Sequence, residues 1–532
     1  MLISYDWLKD YTETELTPQE LRDRLTNVGL AIDAVEQHDE DAVIDVEVPS
    51  NRPDCLSHVG IAREVSVIER TQLRLPEIKS FPTQGRAGAL TSVEIKDPDL
   101  CPRYAARLVR GVKIGPSPEW LVKRLETIGQ RSINNVADIT NYVLHELGQP
   151  LHAFDFHKLG GRRIVVRRAS TGEKLKTLDG IERTLTNDML VIADAERPVA
   201  LAGVMGGEES EISSTTTDVL IESAYFDPNS VRRTARQLGM DTEASRRFER
   251  GADIKGVPFA QDRCVQLICE LAGGIASEDR LDIYPTPFVP RVVNLRPERV
   301  FELTSVSVEK QEILRILKGL GFELLGESGG KLNFKVPSWR IDVEQEEDLV
   351  EEVARHTGFD KIGSELPPSS ASGEYQPSEM KQRLLRRALN AFGYDEAINF
   401  SFAPKQTDGQ PELKNPIIED AAFMRATLLP GLLNSLRHNL NHGLRDVRLF
   451  EIGRVFGAMT QNELPQERLS CALVATGGAV EANKAQAERE IDFYDVKGAL
   501  ETAVDWMGLT PLAFTETSVP HLRAGQSALF KL

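Results

Sequence analysis

The stretch DVLIESAYF, residues 218–226, reads as a β-strand in which one acid, Glu222, has apolar neighbours on both sides. A lone glutamate in a strand is ordinarily salt-bridged or exposed on a sheet edge. Similar runs precede it, RRIVVRRA (162–169) and DMLVIADA (188–195), and the helix-patterned AQDRCVQLICELAGG (260–274) follows. Strands and helices interleaved in this way across residues 93–285 predict a sizeable α+β domain of mixed sheets and helices.

Breaks in composition bound that domain. LRLPEIKSFPTQGRAGALTS (73–92), rich in Pro, Gly and Ser, marks a linker over 76–92, and IYPTPFVPR (283–291) closes the domain. Ahead lies a small α+β unit, 1–75. In it LTPQELRDRLTNVGL (16–30) offers Thr17 as N-cap with Glu20 as its capping-box partner. Behind, residues 290–363 run strand, helix, strand pair, helix. LPPSSASGEYQPS (366–378) marks a second linker, 364–378, before a segment 379–532 that mixes helices with strands such as VRLFEIGRVF (447–456). The predicted class is therefore multidomain α+β, as a length of 532 residues, too great for one core, requires.

A net charge of −18 excludes binding of nucleic acid by the surface as a whole and confines any such contact to a local basic patch. Five cysteines without metal-type or disulfide-dense spacing are expected as buried thiols in a reducing compartment. With no signal-like N-terminus and no membrane-length apolar run, the cytoplasm is the expected location and no membrane contact is expected.

SWRIDVEQEEDLVEEVARHTGFDKI (338–362) packs seven carboxylates between Asp342 and Glu352. Asp342 with Gln345 suggests a capping box and a helix beginning near Val343. Asp348, Glu351 and Glu352 then fall at i, i+3 and i+4, where like charges repel and a hard divalent cation would relieve them. Spacing alone leaves a solvated acidic face and a metal site both open.

Longer strings carry a likeness. RSINNVADITNYVLHELGQPLHAFD (131–155), VLIESAYF (219–226), GMDTEASRRFERGAD (239–253) and PSWRIDVEQEEDLVEEVAR (337–355) together resemble the bacterial phenylalanyl-tRNA synthetase β-subunit family. VPSNRPDCLSHVGIARE (48–64) and FYDVKGALE (493–501) extend the resemblance to nearly the whole chain. It implies an (αβ)2 heterotetramer that joins phenylalanine to tRNA(Phe) with ATP, the α subunit performing the ligation and the β subunit carrying an editing site that hydrolyses tyrosyl-tRNA. It implies a winged or DNA-binding-like domain for 290–363 and an inactive, incomplete class II synthetase catalytic-like antiparallel-sheet domain for 379–532.

The resemblance also assigns residues. Asp342, Asp348, Glu351 and Glu352 match the family's magnesium ligands, shared with the α subunit. Glu222 matches the residue that recognises the tyrosine hydroxyl, and His152 one near the scissile ester. Thr140, Asn141, Gly206, Thr242 and Ala244 match other pocket positions, as do Arg131 and Pro150. The stretch SVRRTARQLGMDTEASRRFER makes Arg232, Arg233, Arg236 and Arg246 candidate RNA contacts. Nothing in the sequence sets a nucleophile beside His152, which favours a positioned water assisted by the terminal ribose hydroxyl.

Two departures stand out. GLAIDAVEQHDEDAVIDVEVPSNRPDC (29–55) passes directly across the place where the family carries an inserted oligonucleotide-binding-fold domain. The chain ends on AGQSALFKL, read as a stop in mid-sheet ahead of the family's anticodon-binding domain, so a shortened chain is expected. The competing reading is a structural assembly subunit with a vestigial editing site. A metal nuclease would need acids and basic cleft together, and here they fall in different predicted domains.

Overall fold

The computed structural model describes every residue except 367, 369–371, 460–463, 481–483, 486, 520–521, 524–525 and 532. It forms two compact units, Met1–Glu365 and Leu366–Leu532. Part of the linker expected over 364–378 lies outside the described residues. No described helix is long and apolar enough to cross a membrane.

In the first unit, strands Leu2–Ser4, Asp41–Glu47 and Ala31–His38 form an antiparallel sheet with the Asp41–Glu47 strand in the middle. The last two close across Asp39 and Glu40 alone, with Asp39 in the left-handed region at φ 52°. A hairpin thus stands where the family resemblance implied an inserted domain. Thr17 caps helix Pro18–Asn27, its side chain accepting from the Glu20 amide while Glu20 accepts in return from the Thr17 amide at 2.8 Å.

The middle of the unit holds two sheets. One has the order Ile275–Ala276, Arg103–Arg110, Asp218–Tyr225, Leu151–Asp155, with Leu281–Ile283 also paired to Arg103–Arg110. The other runs Met205–Gly206, Pro198–Leu201, Leu190–Ala193, Arg163–Arg168, Ser92–Ile95, the last pair parallel. Val219 and Ile221 pack on one side against helices Asn135–Leu147 and Val257–Leu271, while Leu220 and Ala224 pack on the other against Ile164, Val191 and Val199. The Asp218–Tyr225 strand is therefore central, buried on both faces, and Glu222 is not the edge or salt-bridged residue its sequence setting favoured. A strand covered on both sides shows no polar alternation, so its two faces could not be told apart from composition.

The division expected at 76–92 is not a division of the core. Ile3, Trp7, Leu21 and Ile61 belong to the same cluster as Val109, Ile139, Val219 and Ala276. Residues 1–75 are thus one wall of a shared interior.

Residues 290–363 form an antiparallel sheet, Val292–Leu295, Lys331–Lys335 and Glu323–Ser328, under helices Pro297–Thr304, Lys310–Gly319 and Glu346–Thr357. The last helix starts at Glu346, not near Val343. Gln345 is its N-cap and Asp348 closes the capping box, because Asp342 is occupied by Arg340.

The second unit is built from helices Pro377–Ala391, Leu429–Asn441 and Phe493–Trp506 with the paired strands Val447–Met459 and Pro465–Thr476. Its core is small, centred on Leu389, Tyr394 and Phe450. Cys471, on the outer strand of that sheet, is exposed and Cys269 half-buried, unlike the buried Cys55, Cys101 and Cys264; the expectation of five buried thiols fails most at Cys471 because an edge strand packs on one side only.

Candidate active site

Glu222 and His152 face one another across adjacent antiparallel strands, directly paired in register. Both share the parity of Leu220 and Phe154, so both side chains face the second sheet. Between the sheets lies a cavity of about 70 Å3 walled by Pro150, His152, Gly206, Glu222, Ala244 and Phe248, with Met205 beside them. That is smaller than the ~150 Å3 apolar cavity that admits benzene, so a ring enters only as the walls give. Half-buried Met205 is the side chain best suited to yield.

The electrostatics of the pair are unusual. Glu222 is 6% exposed and meets no cation among the described residues; its one side-chain partner among them is the Tyr104 hydroxyl, which donates to Oε2 at 3.1 Å. Burial pushes the Glu222 carboxyl up to about 8, a rise the Tyr104 hydrogen bond only tempers. Burial likewise holds His152 down at about 4. At neutral pH both are uncharged, an acid able to donate and an imidazole able to accept. The Nε2 of His152 is buried without a hydrogen-bond partner among the described residues, and such an atom calls for a ligand or water.

Gly206 is fixed by this histidine: a Cβ there would lie 2.4 Å from His152 Cε1. Thr242 shapes the wall from behind. It caps helix Glu243–Phe248, which carries Ala244, and its hydroxyl donates to the Val204 carbonyl at 2.9 Å.

Other expected pocket residues are elsewhere. Thr140 and Asn141 do not line the cavity: their helix, Asn135–Leu147, packs on the opposite face of the sheet, and Thr140 spends its hydroxyl on the Ala137 carbonyl at 2.7 Å. Arg131 is exposed ahead of that helix. Tyr104 and Phe248 were not foreseen. Tyr104 lies two residues from Ala106, the register partner of Glu222, on a strand more than a hundred residues away.

The arginines divide. Arg232, Arg233 and Arg236 project from helix Pro228–Leu238, exposed and without an ion pair among the described residues. Arg246 is not a free cation, since it pairs with Asp241 at 2.7 Å and Glu243 at 3.3 Å.

The four candidate metal ligands do not form a cation cage as arranged. Arg340 takes Asp342 at 2.8 Å and Glu352 at 2.6 Å, and Arg355 takes Glu352 at 2.6 Å. Asp348 accepts from the amides of Glu344 and Gln345, and of the four Glu351 alone stands exposed, with no side-chain partner among the described residues. Arg355 continues to buried Glu64 at 2.6 Å, which also meets Arg52 at 2.5 Å and His356 at 3.0 Å. Burial would raise the Glu352 and Glu64 carboxyls, but Arg355, with Arg340 at Glu352 and Arg52 at Glu64, holds both well below the usual range. The strongest charge cluster is thus a strut between residues 52–64 and 340–356.

Comparison with known proteins adds an independent finding. Three family models match: the B3/4 domain over 100–273, the tRNA synthetase B5 domain over 293–359 and the phenylalanyl tRNA synthetase beta chain CLM domain over 362–532. The phenylalanine–tRNA ligase beta subunit of Geobacter sulfurreducens is 43% identical over 491 residues, covering 90% of this chain and 61% of that protein. That of Syntrophus aciditrophicus is 43% identical over 522 residues, covering 94% and 65%. An N-terminal fragment of the phenylalanyl-tRNA synthetase beta-subunit from Pyrococcus horikoshii aligns at 17% identity and a TM-score of 0.39, over 67% of this chain and 99% of that one. The chain spans about three fifths of the length of the curated relatives it matches.

Proposed function

Since the chain belongs to the phenylalanyl-tRNA synthetase β-subunit family, we propose that it serves as the β subunit of a phenylalanine–tRNA ligase and removes tyrosine mistakenly attached to tRNA(Phe). The observation that carries this reading is the pairing of a neutral Glu222 with a His152 nitrogen unpartnered among the described residues, both in one small cavity. Tyrosine is phenylalanine plus a hydroxyl, which an apolar ligation pocket rejects only weakly. A protonated Glu222 can both donate to and accept from that hydroxyl. Phenylalanine would leave it unmatched, and an unmatched buried polar group is penalised by about 1–3 kcal/mol.

The hydrolysis itself needs a water. Water adds to the ester carbonyl, the acyl–oxygen bond breaks, and tyrosine and the ribose hydroxyl are released. His152, uncharged at neutral pH, can accept a hydrogen bond from that water at Nε2, and the vicinal ribose hydroxyl can assist the leaving oxygen. Exposed Arg232, Arg233 and Arg236 supply phosphate contacts for the incoming RNA.

ATP is consumed by the α subunit, in an (αβ)2 assembly in the cytoplasm, with 379–532 as a catalytic-like docking domain. Exposed apolar side chains there, Ile398, Phe400 and Ile417 among them, support a covered surface. No step is assigned to magnesium, since the carboxylates of Asp342 and Glu352 are held by arginine. An ion shared with the α subunit would fall to Asp348 and Glu351. Glu351→Gln then weakens subunit association in magnesium but not in chelator; equal association in both overturns that role.

The decisive experiment is hydrolysis of tyrosyl-tRNA against phenylalanyl-tRNA by the complex with the α subunit. Selective release of tyrosine, with selectivity lost in Glu222→Ala, is expected. A folded, assembled complex that hydrolyses neither ester overturns the editing reading.

A further inference from the structure

A second cavity of the first unit lies outside the editing site. It is open on one side and measures about 820 Å3, within the ~300–1,000 Å3 range of ligand sites. Arg63, Lys255 and Lys318 line it, and none of the three has an ion pair or side-chain hydrogen bond among the described residues. Against these three cations the lining sets one carboxylate, Asp253, so in a chain of net charge −18 the local charge is still positive. Arg63 is half-buried and its guanidinium lies over the Trp339 ring, 4.6 Å from the centroid.

Two further polar groups of the walls are unmatched. The indole Nε1 of Trp339 and the side-chain oxygen of Gln149 are buried with no hydrogen-bond partner among the described residues. Gln149 itself is 3% exposed, its amide nitrogen anchored on the Ala224 carbonyl at 2.8 Å. A native interior rarely leaves a donor and an acceptor orphaned in the walls of one cavity lined by cations without ion pairs unless something occupies the space. Phe259 and Trp339 provide apolar faces for a planar ring.

We propose that this cavity binds a nucleoside monophosphate, free or as one nucleotide of an RNA, its phosphate on Arg63, Lys255 and Lys318 and its base against Trp339 and Phe259. Gln149 and Pro150, consecutive in sequence, wall this cavity and the editing cavity respectively, so an occupant here touches the loop that positions His152.

The test uses the full chain, free of the α subunit and its own nucleotide site. Binding of AMP, and separately of a short single-stranded RNA, is followed by quenching of tryptophan fluorescence and by equilibrium dialysis, with inorganic phosphate as competitor. Saturable binding of either probe, weakened tenfold or more in Lys255→Gln/Lys318→Gln, is expected. AMP binding identifies a free nucleotide as the source; binding of the RNA alone identifies a polymer. The exposed lysine pair keeps the test sound if Arg63→Met unfolds the helix that bears it. Failure of both probes to bind at millimolar concentration, or binding unchanged in the lysine variant, overturns the proposal. Neither result bears on hydrolysis of tyrosyl-tRNA.

Discussion

Glu222 and Glu64 are both buried glutamates in the first unit, and they have opposite chemistry. Glu64 is surrounded by Arg52, Arg355 and His356 and stays charged. Glu222 has a phenol and apolar walls and stays protonated near neutrality. Burial is common to both, so burial does not distinguish a strut from a reactive site. The absence of countercharge does, because only an unmatched carboxyl is left free to exchange its partner for a ligand.

The largest test of the contrast removes Glu64. Glu64→Ala removes the carboxylate shared by Arg52, Arg355 and His356 and leaves Arg52 to Asp54 and Arg355 to Glu352. A loss of about 3 kcal/mol, the low end for breaking a buried pair, is expected in denaturant unfolding of the first unit. A loss below about 1 kcal/mol would show that water reaches the network.

The next test is pH. Glu222 binds its proton more tightly folded than unfolded, so its contribution is full below the ordinary carboxylate value and declines as pH rises towards about 8. His152 has the opposite sign, its contribution full above about pH 6.5 and lost as pH falls towards about 4. The two nearly cancel between roughly pH 4.5 and 6.5. Between roughly pH 6.5 and 8 the wild type should lose about 1.4 kcal/mol per pH unit relative to Glu222→Gln. Parallel stability curves for the two proteins across that window would refute a protonated Glu222.

The smallest effect sharpens the comparison. Tyr104→Phe deletes one neutral hydrogen bond, about 0.5–1.5 kcal/mol, and moves the Glu222 midpoint upward, because that bond favours the charged carboxylate. A downward shift in the same stability–pH profile would contradict the assignment.

What was legible in the sequence divides along the same line. The strand bearing Glu222, the Thr17 cap and the direct passage through residues 29–55 are local and were readable from pattern. Glu222 and His152 were reached through resemblance, and their register pairing needed the fold, since 70 residues separate them. Tyr104 left no signal, its role depending on which of three strands lies beside which. The acidic helix misled for a related reason. Its repulsion is relieved by Arg340 and by Arg355, and Arg355 connects to Glu64, 291 residues away, so spacing within the helix could not identify the countercharge.

That separation also governs how the protein is made. At a synthesis rate of ~5–20 residues per second, Glu64 waits roughly 15–60 s before Arg355 has left the ribosome. For roughly the first half of that interval Ile3 and Trp7 lack the later-made Val219 of their cluster, and for roughly three quarters of it they lack Ala276. The nascent N-terminal segment therefore has Arg52 alone to set against Glu64, and an open apolar face, for much of translation, the state in which an emerging chain is most exposed to misassociation.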